Sequence, residues 1–382
     1  MTGSILFQAI VFLLGAIICV SIAKRLGLSS VIGYLLAGVL IGPYVLGFIG
    51  GEGDDILHFA EFGVVMMLFL IGLEIEPKNF WNMRKTILGM GGLQVAGTML
   101  LSYLLFTVLG FDWKVSLVIS MAVALSSTAI ALQTIKEKGL MDTTFGTSSF
   151  SILLFQDIIV IFMLGALPSV SSAENHGKNG NLLDSLPIGF QTLAIILSVV
   201  LIVIVGKYLI VPLLRKVAKT GVRELLIASA FLIVFAISFL MEYVGLSPAL
   251  GAFLGGVVLS NSEFKHELES TLEPFKNLLL GLFFMAVGAS INFIVIAKSP
   301  FTIGGVLLAI IVLKAIVLYL TGRVFGLKLD QKLLLTFGLA QIGEFAFVLL
   351  SFAFSLNILE QDQMDLMLVI TALSMALTPN GY

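Results

Sequence analysis

Residues 27–42 read GLSSVIGYLLAGVLIG, and residues 245–260 read GLSPALGAFLGGVVLS. Seven of these sixteen positions are identical, and Gly27, Gly33 and Gly38 recur as Gly245, Gly251 and Gly256. A second block extends the match. Residues 72–130 align without a gap on residues 288–346, with eleven identities in 59 positions. Gly72 meets Gly288, Tyr103 meets Tyr319, Gly110 meets Gly326 and Ala124 meets Ala340. Apolar segments resemble one another by chance, but glycines, serines and a tyrosine in register over two blocks argue for an internal duplication.

The solvent of this chain is lipid. Hydrophobic residues make up 59% of it and charged residues 12%, with a mean hydropathy of +1.11. That composition excludes a soluble enzyme. A net charge of −2 gives no reason to expect nucleic acid as a partner. The single Cys19 excludes a disulfide framework, and His58, His176 and His266 are too scattered for a zinc or iron site. The first apolar run, residues 4–23, precedes Lys24 and Arg25 and reads as a membrane span rather than a cleaved signal.

Apolar windows fall at about 4–23, 28–48, 58–76, 86–109, 114–136, 146–168 and 188–214, then at 223–244, 247–261, 274–297, 301–325, 331–356 and 362–380. These are thirteen expected spans of an all-α polytopic membrane protein. Sixteen Lys and Arg residues lie in one set of alternating loops and three in the other. The positive-inside rule then puts the N-terminus outside and the C-terminus in the cytoplasm. The second span matches the ninth, seven spans on. Seven is odd, so the copies run in opposite directions. The expected organisation is a first inverted six-helix repeat over residues 1–168, an outside loop and linker span over 169–222, and a second repeat over 223–382. Inverted repeats place a binding site at mid-membrane.

Few charges remain inside the spans. Lys314 lies in the middle of LLAIIVLKAIVLYL, where a charge costs about 2.5–3.5 kcal/mol on insertion scales and needs a partner or a wet cavity. Asp157 lies in FSILLFQDIIVIFML and Glu344 in LAQIGEFAFVL. An intramembrane carboxylate such as Asp157 is a proton or cation carrier by default, although a structural Asp bonded to nearby backbone has the same sequence. Glu344 reads equally as functional or as stabilising a break in its helix. Asp157 and Lys314 are the expected ion pair, with Glu344 as the alternative partner of the lysine. The repeat sets Ser127-Thr128 on Gly343-Glu344. Polar and glycine clusters at equivalent mid-span positions point to crossing broken helices in spans five and twelve. Ser126, Ser127 and Thr128 also suit ordinary helix packing. The small-residue faces around Gly38 and Gly256 read as close helix packing.

The runs SSTAIALQ, LLFQDI, PFKNLLLGLFFMAVGASIN and GLAQIGEFAFVL, in this order, resemble the Kef potassium efflux family of the monovalent cation:proton antiporter-2 superfamily. The resemblance covers essentially the whole chain. It implies a sodium/proton-antiporter-like fold, a homodimer, and a core that moves like an elevator. It places the ion-carrying Asp, for potassium (or sodium) and the proton, on Asp157, beside Gln156, and the embedded lysine on Lys314; the expected breaks add Ser126, Ser127, Thr128 and Glu344 as candidate ion-site residues. Relatives that exchange sodium carry Asp-Asp or Asn-Asp where this chain has Gln156-Asp157, which favours potassium. A lone titrating carboxylate there suggests one-to-one exchange. The acidic loop 263–274, with Glu263, His266, Glu267 and Glu269, resembles the loop through which that family is held closed; a plain solvated loop reads the same way. The family's cytoplasmic nucleotide-binding domain would follow the last span, whereas this chain ends at Tyr382 and carries no Gly-rich nucleotide fingerprint.

The leading expectation is therefore a potassium/proton antiporter of the cytoplasmic (inner) membrane, surrounded by lipid, with no cofactor of its own. A sodium/proton antiporter is the alternative within the class. A ligand-gated potassium channel-like efflux system is the alternative outside it, without a TVGYG-type filter to support it.

Overall fold

The computed structural model describes residues 5–28, 30–48, 65–73, 84–171, 201–202, 204–243, 248–291 and 300–377, and these are helical with no strand among them. The helices are α1 (Ile5–Arg25), α2 (Ser30–Ile41), α3 (65–73), α4 (Arg84–Val108), α5 (Trp113–Ala124), α6 (Thr128–Glu137) and α7 (Thr144–Val170). They continue as α8 (Val211–Ala218), α9 (Arg223–Tyr243), α10 (Pro248–Leu259), α11 (Lys265–Ser290), α12 (Pro300–Val324), α13 (Leu329–Leu339), α14 (Phe345–Ser355) and α15 (Gln361–Leu377). Among the described residues, five helices are long and apolar enough to cross a membrane. Most of the expected outside loop and parts of the third, seventh and tenth expected spans lie outside the described residues, as do His58 and His176.

Two compact units emerge, and neither coincides with one half of the sequence. The first takes Met1–Leu57, Asn82–Met163 and Phe284–Tyr382; the second takes His58–Trp81 and Leu164–Phe283. In the first, α4 packs on α5 and α12, and α14 packs on α5 and α15. In the second, α9 packs on α8 and α10 around a core that includes Phe69, Leu73, Val234 and Leu268. Repeat boundaries reflect duplication and units reflect packing, so the two divide the chain differently.

The glycines show how the duplication is built. In the first unit, a Cβ on Gly38 of α2 would collide with the Met285 carbonyl of α11, and one on Gly288 with the Leu35 carbonyl. In the second unit, a Cβ on Gly256 of α10 would collide with the Phe69 carbonyl of α3, and one on Gly72 with the Phe253 carbonyl. The repeat carries Leu35 and Gly38 to Phe253 and Gly256, and the offset of 216 carries Phe69 and Gly72 to Met285 and Gly288. Each crossing is thus the repeat-mate of the other, and in each a helix of one half meets a helix of the other half. Backbones this close leave no volume for a side chain.

Valine at Gly38 or Gly256 is expected to destabilise the protein by about 2–3 kcal/mol, because the obstructing atoms are backbone. Thermal unfolding in mild detergent reads the loss. Gly304→Ala is the control, since a Cβ there meets nothing within 4 Å. Equal melting of all three variants would contradict the crossings.

One expectation is corrected. The segment 263–274 is not a loop throughout: α11 begins at Lys265 and carries Pro274 inside it. Glu267 in its first turn favours the helix start, where backbone N–H groups present positive charge.

Candidate functional site

Both expected breaks are present. In span five, α5 ends at Ala124 and α6 starts at Thr128; in span twelve, α13 ends at Leu339 and α14 starts at Phe345. Ser127 caps α6, its hydroxyl accepting the Ile130 N–H at 3.2 Å. The breaks cross at closest approach: the Gly343 N–H donates to the Leu125 carbonyl at 3.0 Å. A Cβ on Gly343 would collide with the Ser126 backbone. That explains why a glycine stands at this point of the second break.

Breaking a helix leaves carbonyls and amides without ladder partners, and in a membrane those must be satisfied by the protein or by trapped water. The two breaks do so in parallel. Lys314 of α12, fully buried, donates to the Leu125 carbonyl at 2.8 Å, the Gln341 carbonyl at 2.7 Å and the Ser126 hydroxyl at 3.1 Å. Leu125 and Gln341 are repeat-mates, each just past the C-terminal end of a half-helix. The ammonium therefore sits between two negative helix ends, and its three N–H donors meet three acceptors.

The amides follow the same rule. The Ser126 N–H donates to Gln156 Oε1 at 2.8 Å, and the Ile342 N–H donates to Ser374 Oγ at 3.1 Å. Ser126 and Ile342 are also repeat-mates, and each is held by a side chain from the span that follows its own. The Ser126 hydroxyl closes the arrangement by donating to the Leu339 carbonyl at 2.7 Å.

Asp157 stands apart from this brace. It is half-buried, and its Oδ1 accepts the Thr128 hydroxyl at 2.9 Å, at the N-terminal end of α6. A carboxylate is favoured there by the positive end of the half-helix. The expected ion pair with Lys314 is not formed in this structure, because backbone carbonyls and the Ser126 hydroxyl take the ammonium instead. Glu344 is buried immediately before α14 and makes no side-chain capping bond to it. All of these residues fall in the first compact unit.

Gln94 is the residue that a search for charges passes over. It is fully buried on α4, donates to the Ala124 carbonyl and Thr98 hydroxyl at 3.1 Å each, and accepts from Gln156 Nε2 at 2.7 Å. The sequence signal was a lone amide in the apolar run GGLQVAG. Among the acidic-segment residues, Glu263 Oε1 accepts from Arg215 Nε at 2.7 Å and His266 lies 3.7 Å from Glu269. The Arg215–Glu263 pair is solvent-exposed on both sides, and pairs of that kind contribute about 0–1 kcal/mol.

A family model described as sodium/hydrogen exchanger, transmembrane, matches residues 10–380. A solved structure of the sodium proton antiporter MjNhaP1 from Methanocaldococcus jannaschii at pH 8 is similar, with TM-score 0.64 and 17% identity over 97% of this chain and 95% of that one. An electron-microscopy structure of the same antiporter gives TM-score 0.65 and 16% identity over 97% and 92%. At such identities the likeness shows the fold, and the fold is that of these antiporters. Proteins of the matched family are transporters and not enzymes. The broken, crossing spans with buried polar groups at their centre are thus those of a multi-pass cation/proton antiporter, and the chain belongs to the sodium/hydrogen exchanger family.

Proposed function

We propose that this protein exchanges potassium for protons across the cytoplasmic membrane, with Asp157 as the group that takes cation and proton in turn. The observation that carries the reading is the setting of Asp157. It is a half-buried carboxylate at the end of a half-helix, next to an amide whose oxygen and nitrogen are both bonded within the protein. Desolvation makes proton and cation compete for such a carboxylate. Gln156 cannot titrate, so one cation exchanges for one proton. Gln156 also stands where relatives that exchange sodium often carry Asp or Asn, which favours the potassium branch.

The ion-site residues lie within one compact unit, which suits an elevator motion of that unit in a homodimer. Sixteen basic residues in one loop set, against three in the other, support an N-terminus outside and a C-terminus in the cytoplasm. The similar solved structures are sodium antiporters, so sodium/proton exchange is the second reading.

Proteoliposomes carrying an imposed pH gradient and a pH-sensitive dye test the proposal. Potassium is expected to dissipate the gradient at a half-maximal concentration at least about tenfold below that for sodium, a difference of roughly 1.4 kcal/mol in binding. Sodium working equally well or better would replace potassium with sodium. Potassium current without proton movement would make the protein a channel and sink both readings.

A further inference from the structure

We propose that Gln94 is a positioning residue for the exchange site: it fixes position 156 as a neutral amide and, through it, the geometry of the first break around Asp157. This rests on the exchange reading above. Two buried amide side chains, Gln94 and Gln156, meet with Nε2 of Gln156 donating to Oε1 of Gln94 at 2.7 Å. Their orientations are dictated by backbone groups that cannot change role. The Ala124 carbonyl only accepts, so Nε2 of Gln94 must face it, at 3.1 Å. The Ser126 N–H only donates, so Oε1 of Gln156 must face it, at 2.8 Å. The remaining atoms, Oε1 of Gln94 and Nε2 of Gln156, are then left to face each other, acceptor to donor.

An ionised carboxylate at 156 would reverse that match. Its second oxygen would face Gln94 Oε1 and also the Ala124 carbonyl, which now lies 3.3 Å from Gln156 Nε2. Gln94 cannot flip to rescue it without pointing its own oxygen at Ala124. Position 156 therefore has to donate on one side and accept on the other, and Gln94 imposes the donating side.

The duplication supplies a second argument. Lys314 satisfies the carbonyl of Gln341 in the break of its own half. Its repeat-mate on α4 is Thr98, a buried hydroxyl that accepts from Gln94 at 3.1 Å. Lys314 also reaches the Leu125 carbonyl of the first break, and there Gln94, one helical turn before Thr98, adds a second donor from the first half itself, to the Ala124 carbonyl; this donor is an amide rather than an ammonium. An ammonium could only donate. An amide also accepts, and so it ties the break to Gln156 and the adjoining Asp157. Thr128, whose hydroxyl binds Asp157, lies two residues beyond the Ser126 amide that Gln156 holds.

The test compares wild type, Gln94→Leu and Gln94→Glu, each purified as a monodisperse protein, in two assays. One is proteoliposome exchange, fitted to a half-maximal cation concentration and a maximal rate. The other is the potassium-dependent rise in melting temperature in detergent, which reports binding without transport. Gln94→Leu is expected to raise the half-maximal concentration about tenfold or more and to weaken the potassium-dependent melting shift in step, with the maximal rate within about threefold of wild type. Gln94→Glu, assayed at acidic pH, keeps the shape and, as a neutral carboxyl, offers an acceptor to Gln156 and a donor to Ala124. It is expected to stay within about threefold of wild type in both measures. If Gln94→Leu is not recovered, Gln94→Asn, one methylene too short to span the gap, takes its place. A Leu or Asn variant that melts earlier but binds and exchanges potassium like wild type would reduce Gln94 to a packing residue and overturn the proposal. So would a Glu variant as impaired as the Leu variant. Failure of wild type itself to exchange any cation for protons would overturn the functional reading instead.

Discussion

Asp157→Asn is expected to reduce cation-dependent proton movement to the level of empty liposomes while leaving the melting temperature of the protein in place. The two halves of this expectation have different causes. The asparagine oxygen can still accept the Thr128 hydroxyl that now donates to Oδ1 at 2.9 Å, so the hydrogen bond and the volume are preserved. Asp157 is not a partner of the buried lysine in this structure, so no ammonium is stranded by the change. Stability should therefore stay within about 0.5 kcal/mol. What disappears, on the proposed mechanism, is the negative charge that attracts the cation and the oxygen that takes the proton. Neither Gln156 nor Thr128 titrates, so neither can substitute for it. An asparagine variant that exchanges at near wild-type rate would remove Asp157 from the mechanism. A large fall in melting temperature would mean that the carboxylate also holds the fold, which its half-exposed position argues against.

Much of this architecture was legible in the chain. The duplicated GLSS and GLSP blocks announced two related halves, and Ser127-Thr128 opposite Gly343-Glu344 announced the broken spans. Both signals survive in sequence because membrane helices carry polar and glycine residues mainly where packing or function demands them. The pairing of glycines was not legible. An alignment shows that Gly38 and Gly256 are equivalent, but not that Gly38 meets the Met285 carbonyl of α11 while Gly256 meets the Phe69 carbonyl of α3, since partner exchange between halves is a three-dimensional fact. The lysine misled for a related reason. Reading charges alone pairs Lys314 with Asp157, yet a broken helix offers backbone carbonyls that compete for an ammonium, and a sequence shows no carbonyls. Gln94 was invisible because it has no charge. Its importance comes from two fixed backbone groups on either side of the Gln94–Gln156 contact.

Lys314→Met is expected to be the most destabilising of the single substitutions considered. Methionine matches the length and apolar stem of lysine but cannot donate. It would leave the Leu125 and Gln341 carbonyls buried with one strong donor fewer, at the converging negative ends of α5 and α13. A buried acceptor left unmatched, as the Gln341 carbonyl would be, costs about 1–3 kcal/mol, and more where helix dipoles add to it, whereas the Leu125 carbonyl keeps the Gly343 N–H and loses less. The Ser126 hydroxyl loses less, because it still donates to the Leu339 carbonyl. A total of about 2–4 kcal/mol follows. Arginine should not restore it, since a planar fork cannot meet three acceptors gathered around one nitrogen. A double-mutant cycle with Asp157→Asn then separates a carbonyl brace from an ion pair. If Lys314 acts through the carbonyls, its loss costs the same in both backgrounds, and the coupling is below about 0.5 kcal/mol. If the lysine and the aspartate stabilise each other, the double variant recovers part of the loss, and the coupling exceeds about 1.5 kcal/mol. The geometry predicts the first outcome; the second would show that the brace is not what holds this lysine in the membrane.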